Sequence, residues 1–132
     1  MLFLDSSTII EYSNDNPSVV SYLEEGGQLF TSAICVYEVV SGEMWASNRS
    51  PYTIRRGFSG VQSIPLNEEI ALEAARIQHE LRRNGDEMAV RDLLIAATAR
   101  STGSELVVAD SDFETAYLQD ILTVTNFATD TS

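Results

Sequence analysis

The feature that most constrains this chain is a set of short, wholly apolar segments, two of which run directly into an aspartate. Leu2-Phe3-Leu4 precedes Asp5, and Leu106-Val107-Val108-Ala109 precedes Asp110. Such runs are too short for buried helices and read as strands covered on both faces. Helix signals lie between them. Ser6 or Ser7 caps a helix from Thr8 to about Asn14, and Pro17 opens another that stops at Gly26-Gly27. Ser32 caps a helix carrying Ile34, Tyr37, Glu38 and Trp45. Ser50-Pro51 starts a short helix reaching about Phe58. Asn67 caps a long one with Ile70, Ala74, Ile77 and Leu81 on its apolar stripe, ending at Asn84-Gly85. A further helix is expected over 86–101 and a short one over 112–119. Strands are expected over 1–4, 28–31, 61–66, 106–109 and 121–124. The alternation implies an α/β fold in one domain, residues 1–132, with a central parallel sheet of about five strands and helices on both faces. Functional side chains of such sheets gather at the carboxyl ends of the strands, near the switch in strand order.

With 132 residues, the chain can bury roughly two-thirds of its unfolded surface. No apolar run approaches the roughly 20 residues that span a bilayer. The N-terminus has no basic stretch and meets an acid at once, so it does not read as a signal peptide, and no membrane association is expected. Cytoplasm is the default compartment. A single cysteine, Cys35, excludes an internal disulfide and a thiolate metal cage.

Charge is the unusual part of the composition. Eight basic residues, all arginine, face twenty acidic ones, for a net charge of −12. One reading is a chain that avoids nucleic acid, whose backbone is negative. The other is a chain from a salt-rich cytoplasm, where acidic surfaces keep proteins soluble and screening shortens repulsion to about 3 Å at 1 M salt. The absence of lysine and the abundance of serine and threonine favour the second, so the global charge says little about partners.

Asp5 and Asp110, each following a strand, belong at one edge of the sheet. Glu38 lies in Ile34-Cys35-Val36-Tyr37-Glu38-Val39-Val40, and Asp92 opens Leu93-Leu94-Ile95-Ala96-Ala97. An acid inside an apolar helical segment is costly to bury without compensation. There is no lysine to supply it, and Arg91 is only a neighbour in sequence. Three or four converging carboxylates repel one another, and a divalent cation relieves the conflict. Oxygen-only ligation favours Mg²⁺ or Mn²⁺ over Zn²⁺. Taken singly, each acid has a plainer reading: Asp5 as a helix cap, Glu38 as a partly exposed helix residue, Asp92 as first-turn compensation of the helix dipole, Asp110 as a turn residue. Their joint occurrence carries the functional reading, which fails if the acids diverge or are capped by arginine.

At these residues the sequence resembles the PIN-domain family, and within it the VapC-like toxins of type II toxin–antitoxin systems. Leu4-Asp5-Ser6-Ser7-Thr8-Ile9-Ile10 is similar to its first motif, and Thr31-Ser32 through Tyr37-Glu38-Val39 to its second. Asp92-Leu93-Leu94-Ile95-Ala96-Ala97-Thr98-Ala99 resembles the third and is the most specific match. Leu106-Val107-Val108-Ala109-Asp110-Ser111-Asp112-Phe113 resembles the fourth. The family often has Asn where Ser7 stands, and its last motif here offers two acids. Asp110, nearer the strand end, is preferred as ligand, with Asp112 a cap or a ligand through water.

The resemblance implies a three-layer α/β/α fold, Mg²⁺- or Mn²⁺-dependent endoribonuclease activity, a homodimer and a small VapB-like antitoxin partner. Ions held by Asp5, Glu38, Asp92 and Asp110 would activate water and stabilise charge on a phosphodiester, so no side-chain nucleophile is required. Ser6 and Ser7 are expected to orient water or phosphate. Arg55, Arg56, Arg82, Arg83 and Arg91 are candidates for flanking RNA phosphates, with solvated helix charges the plainer alternative. A lone histidine, His79, excludes a ribonuclease working through two histidines and reads as solvated or at an interface. Trp45 and Tyr52 can stack a base, though core or dimer packing is the better expectation. Val36, Val40, Met44 and Trp45 can line an antitoxin groove. A receiver domain or a haloacid-dehalogenase-type phosphatase needs a lysine that this chain lacks. The remaining alternative is a catalytically inactive PIN-fold binding or regulatory module.

Overall fold

The computed structural model describes residues 1–110, 113 and 118–128. The chain alternates as expected: β1 (Leu2–Leu4), α1 (Ser6–Ser13), α2 (Pro17–Glu25), β2 (Leu29–Ser32), α3 (Ala33–Ser47), α4 (Pro51–Arg56), β3 (Val61–Ile64), α5 (Glu68–Arg83), α6 (Val90–Ser101), β4 (Glu105–Val108) and β5 (Val124–Asn126). The sheet has five strands, all parallel, in the order β3-β2-β1-β4-β5. From β1 the chain steps outward through β2 to β3, then crosses back to β4. The switch point therefore falls between β1 and β4, whose register pairs Leu4 with Val107. Right-handed crossovers put α1–α4 on one face and α5–α6 on the other, giving three layers.

Most helix starts follow the sequence signals. Asn16, Ser32, Ser50 and Asn67 each accept a backbone N–H from the first turn of the helix they precede. Three local expectations are corrected. The cap of α1 is Asp5 itself, accepting the Thr8 N–H, so α1 begins at Ser6 rather than Thr8. Residues 86–89 are not helical. Gln78, buried on α5, takes the Met88 N–H on its Oε1 and donates its Nε2 to the Met88 carbonyl, so the segment is pinned as an extended lead into α6. The last strand lies at Val124–Asn126, later than 121–124, because Leu118–Asp120 forms a 3₁₀ turn. The helix expected over 112–119 lies mostly outside the described residues.

Phe3, Leu4, Leu106 and Val107 are fully buried. The small residues Ala96 and Ala99 of α6 let that helix approach the sheet, and both belong to the same core cluster. A second cluster joins α5 to α6 through Ile70, Ala74, Ile77, Leu81, Leu93 and Ala97. The apolar stripe read from the sequence of α5 is this seam. Among the described residues, no helix is long and apolar enough to cross a membrane.

Candidate functional site

Asp5 leaves β1 at the switch point and is almost fully buried. Three donors converge on its Oδ1: Ser7 Oγ at 2.7 Å, the Thr8 N–H at 3.0 Å and Thr8 Oγ1 at 3.0 Å. The Thr8 hydroxyl also lies 2.8 Å from the Val107 carbonyl, and it has one proton to share between the two acceptors. Ser7 Oγ accepts the Ala109 N–H at 3.0 Å while donating to Asp5. The ends of β1 and β4 are thus stitched together through the carboxylate. Among the described residues Asp5 Oδ2 accepts no hydrogen bond. Burial pushes the Asp5 carboxyl above its ordinary range, partly opposed by the Ser7 and Thr8 bonds and the charge of Arg91.

Glu38 stands in the second turn of α3, and Asp92 in the first turn of α6. Both are met by one side chain. Arg91 donates its Nε and Nη2 to the two carboxylate oxygens of Glu38, the Nη2 bond being 2.7 Å. Its Nη1 donates to Asp92 Oδ1, and its Nη2 also reaches Ser6 Oγ at 3.0 Å. The Glu38 hydrogen bonds raise the Arg91 pKa, so the guanidinium stays charged. This corrects the sequence-based expectation for Arg91: it is the compensating cation that the acids were thought to lack. Arginine thus caps Glu38 and Asp92, the outcome that counts against the divalent-ion reading, but compensation is partial, since one guanidinium faces the formal charges of Glu38, Asp92 and Asp5. Cys35 lies fully buried, and burial pushes its thiol up, with Asp5 and Glu38 adding to the effect.

Asp110 follows β4 and is half-buried. Its carbonyl accepts Asn126 Nδ2 at 2.9 Å and the Phe113 N–H at 3.1 Å. Asp112 lies outside the described residues. The structure therefore gathers Asp5, Glu38, Asp92 and Ser6 around Arg91, with Asp110 at the adjoining strand end. Among the described residues, no three histidine, cysteine or acidic side chains are close enough to hold a metal as they stand. The donor set is nonetheless the right chemistry for a hard divalent ion. It is all oxygen, drawn from separate elements, and already arranged about a positive charge.

The other arginines are engaged elsewhere. Arg55 donates to the Phe58 and Val61 carbonyls and lies 4.7 Å over the Phe58 ring, bracing the loop before β3. Arg56 donates to Thr53. Arg82 pairs with Glu87 and Arg83 with Glu80, all on exposed surface. His79 is exposed. Sequence reasoning missed Thr8 and Gln78. A threonine three residues after a strand-end aspartate was the available signal for the first; a glutamine on an apolar stripe was the signal for the second.

Between α3 and α4 lies an open groove of about 1050 Å³, with Val36, Val40, Met44, Trp45 and Tyr52 in its walls. Trp45 is 93% exposed and Tyr52 78%. Neither packs in the core, which corrects the core half of the core-or-dimer expectation.

Acids gathered about one arginine at the switch point of a five-stranded parallel sheet with helices on both faces define the class of α/β domain. The PIN domain family model matches residues 2–118, and the chain belongs to that family. A VapC ribonuclease of Pyrococcus furiosus is 50% identical over 48 residues, a match covering 36% of this chain and 32% of that protein. The match thus spans about a third of that relative's length. A VapC ribonuclease of Mycobacterium bovis is 27% identical over 122 residues, covering 86% of this chain and 90% of that one. A chain from a toxin–antitoxin complex of Klebsiella pneumoniae superposes with a TM-score of 0.74 at 20% identity, covering 95% of this chain and 96% of that one.

Proposed function

We propose that this chain is an endoribonuclease of the VapC type, the toxin of a toxin–antitoxin pair, dependent on Mg²⁺ or Mn²⁺ held by Asp5, Glu38, Asp92 and Asp110, with Asp112 as a further ligand. One observation carries the reading: acids distant in sequence converge at the β1/β4 switch point with more negative charge than Arg91 neutralises. Family membership and the VapC relatives support the same reading. A divalent ion supplies Lewis-acid activation of water and charge stabilisation at a phosphodiester. The chain's own residues do the positioning. Ser7 and Thr8 hold Asp5 Oδ1 and leave Oδ2 for a ligand. Ser6 Oγ stands beside the Glu38 and Asp92 carboxylates, in reach of a phosphate oxygen brought to them. Arg82 and Arg83, exposed at the end of α5, are candidates for flanking phosphates of the RNA.

The apolar groove between α3 and α4 supports a VapB-like antitoxin as partner, laying an amphipathic helix over Trp45 and Tyr52. A homodimer and a salt-rich cytoplasm complete the proposal, the latter resting on the acid excess and the absence of lysine. A second reading, a catalytically inactive PIN-fold binding or regulatory module, is favoured by the Arg91 clamp on Glu38 and Asp92. The deciding experiment is cleavage of a labelled RNA panel with Mg²⁺, Mn²⁺ or chelator, comparing wild type with Asp5→Asn. Metal-dependent cleavage lost in the variant supports the nuclease. RNA left intact by wild type under every condition supports the inactive module.

A further inference from the structure

We propose that Arg91 is a built-in counter-ion to Glu38 and Asp92 that competes with a divalent ion for them. The inference rests on the divalent-ion reading above. All three guanidinium nitrogens are committed to the pocket: Nε and Nη2 to Glu38, Nη1 to Asp92, and Nη2 also to Ser6. Arg91 occupies both Glu38 oxygens and Asp92 Oδ1, so a cation drawn to Glu38 must compete with the guanidinium for the same atoms.

Local structure argues that this arginine is placed for the pocket rather than for its helix. It is the second residue of α6, where the positive end of the helix dipole opposes a cation. Ala89 supplies no side-chain cap there to offset that. The carboxylates, not the helix, hold Arg91 in place. The clamp also has a way out. The Arg91 side chain is 38% exposed, and Glu38 and Asp92 are 30% and 29% exposed. Rotation about side-chain bonds alone moves the charge into solvent, with the core of α6 undisturbed. Asp5, buried behind this pair, has no such freedom.

The exchange predicts that the clamp weakens metal binding. The test is Mn²⁺ titration calorimetry on the full chain stripped with chelator, with melting followed in parallel, for wild type, Arg91→Gln and Arg91→Lys. Breaking charge-assisted hydrogen bonds of this kind should tighten the Mn²⁺ Kd of Arg91→Gln by about tenfold. The metal-free variant should melt below wild type, because its acids then repel, and Mn²⁺ should raise its melting temperature by more. Arg91→Lys keeps the charge but not the fork, and its Kd should fall between the two. It also covers the case in which the glutamine variant does not fold. An unchanged or weaker Kd in the variants overturns the exchange while leaving the metal site standing. Absence of Mn²⁺ binding in wild type and both variants overturns the metal reading and the exchange with it.

Discussion

Arg91 Nη2 donates to Glu38 Oε1 at 2.7 Å across 53 residues of sequence, and this bond joins the two helical layers over the carboxyl edge of the sheet. It brings α3 and α6, which sit on opposite faces, to a shared charge beside β1. The site is therefore as much a tertiary fastening as a chemical pocket, and changes in it should register in stability as well as in activity.

Asp5→Asn isolates the charge from the fold. Asn keeps an oxygen to accept from Ser7 and Thr8, so the start of α1 is preserved. It removes a carboxylate whose pKa burial raises above its ordinary 3.8. A raised folded pKa means that the Asp5 contribution to stability is full below about pH 3.8 and is lost as pH rises through the folded value. At neutral pH the metal-free variant should melt about 2–4 °C above wild type, with the gap closing in acid. RNA cleavage should drop by at least about a hundredfold. Calorimetric scans across pH and a labelled-RNA assay measure both. A variant that cuts like wild type removes Asp5 from the site.

Thr8→Val tests the stitch between β1 and β4. Shape is conserved, but the hydroxyl shared by Asp5 and the Val107 carbonyl is gone. Losing a buried hydrogen bond of this kind should cost about 1–3 kcal/mol in urea unfolding. Asp5 should become still harder to ionise, because one of the bonds that lower its pKa is removed. A stability change near zero would mean that the bond has no net value.

Much of this was legible in the sequence, for a physical reason. Strand-end aspartates report their location because the preceding apolar run must stop at the sheet edge, so Asp5 and Asp110 were placed correctly by pattern alone. Caps at Ser32 and Asn67 follow from local hydrogen bonding that needs no tertiary context. What was not legible depends on long-range geometry. Arg91 adjoins Asp92 in the chain, yet its decisive partner Glu38 lies on another helix, and no local rule links them. The non-helical 86–89 segment is set by Gln78, ten residues away, whose two bonds to Met88 override helix propensity there. Asp5 as a helix cap was its plainer reading in the sequence, but two adjacent serines made equal local claims to the start of α1.

Glu73→Gln probes the other tie between α5 and α6. Glu73 receives Arg76 at 2.7 Å and also pairs with Arg100. The Arg76 hydrogen bond, foremost among several causes, holds its carboxyl below the ordinary 4.5. A lowered folded pKa gives stability that is present above pH 4.5 and is lost as pH falls through the folded value. Because the pair is partly exposed, the neutral variant should lose no more than about 1 kcal/mol at pH 7. The difference between the two proteins should shrink in acid, as chemical denaturation at pH 7 and below pH 4 would reveal.

Salt sets two electrostatic effects against each other, and their ranges decide which wins. The ion pairs are short: Arg49–Glu43 at 3.0 Å, Arg76–Glu73 at 2.7 Å and Arg82–Glu87 at 2.9 Å. Repulsion among the unpaired acids of a chain with net charge −12 acts over longer distances. Raising KCl from about 0.1 M to 1 M shortens the screening length from about 10 Å to about 3 Å. That quenches the repulsion while sparing much of the attraction, because the paired atoms already stand within the shorter length. The exposed pairs are also worth little to begin with, about 0–1 kcal/mol each. Stability should therefore climb with KCl, read as a rising thermal midpoint across a titration to molar salt. A midpoint that stays level or drops would show that the acid excess is not an adaptation to salt.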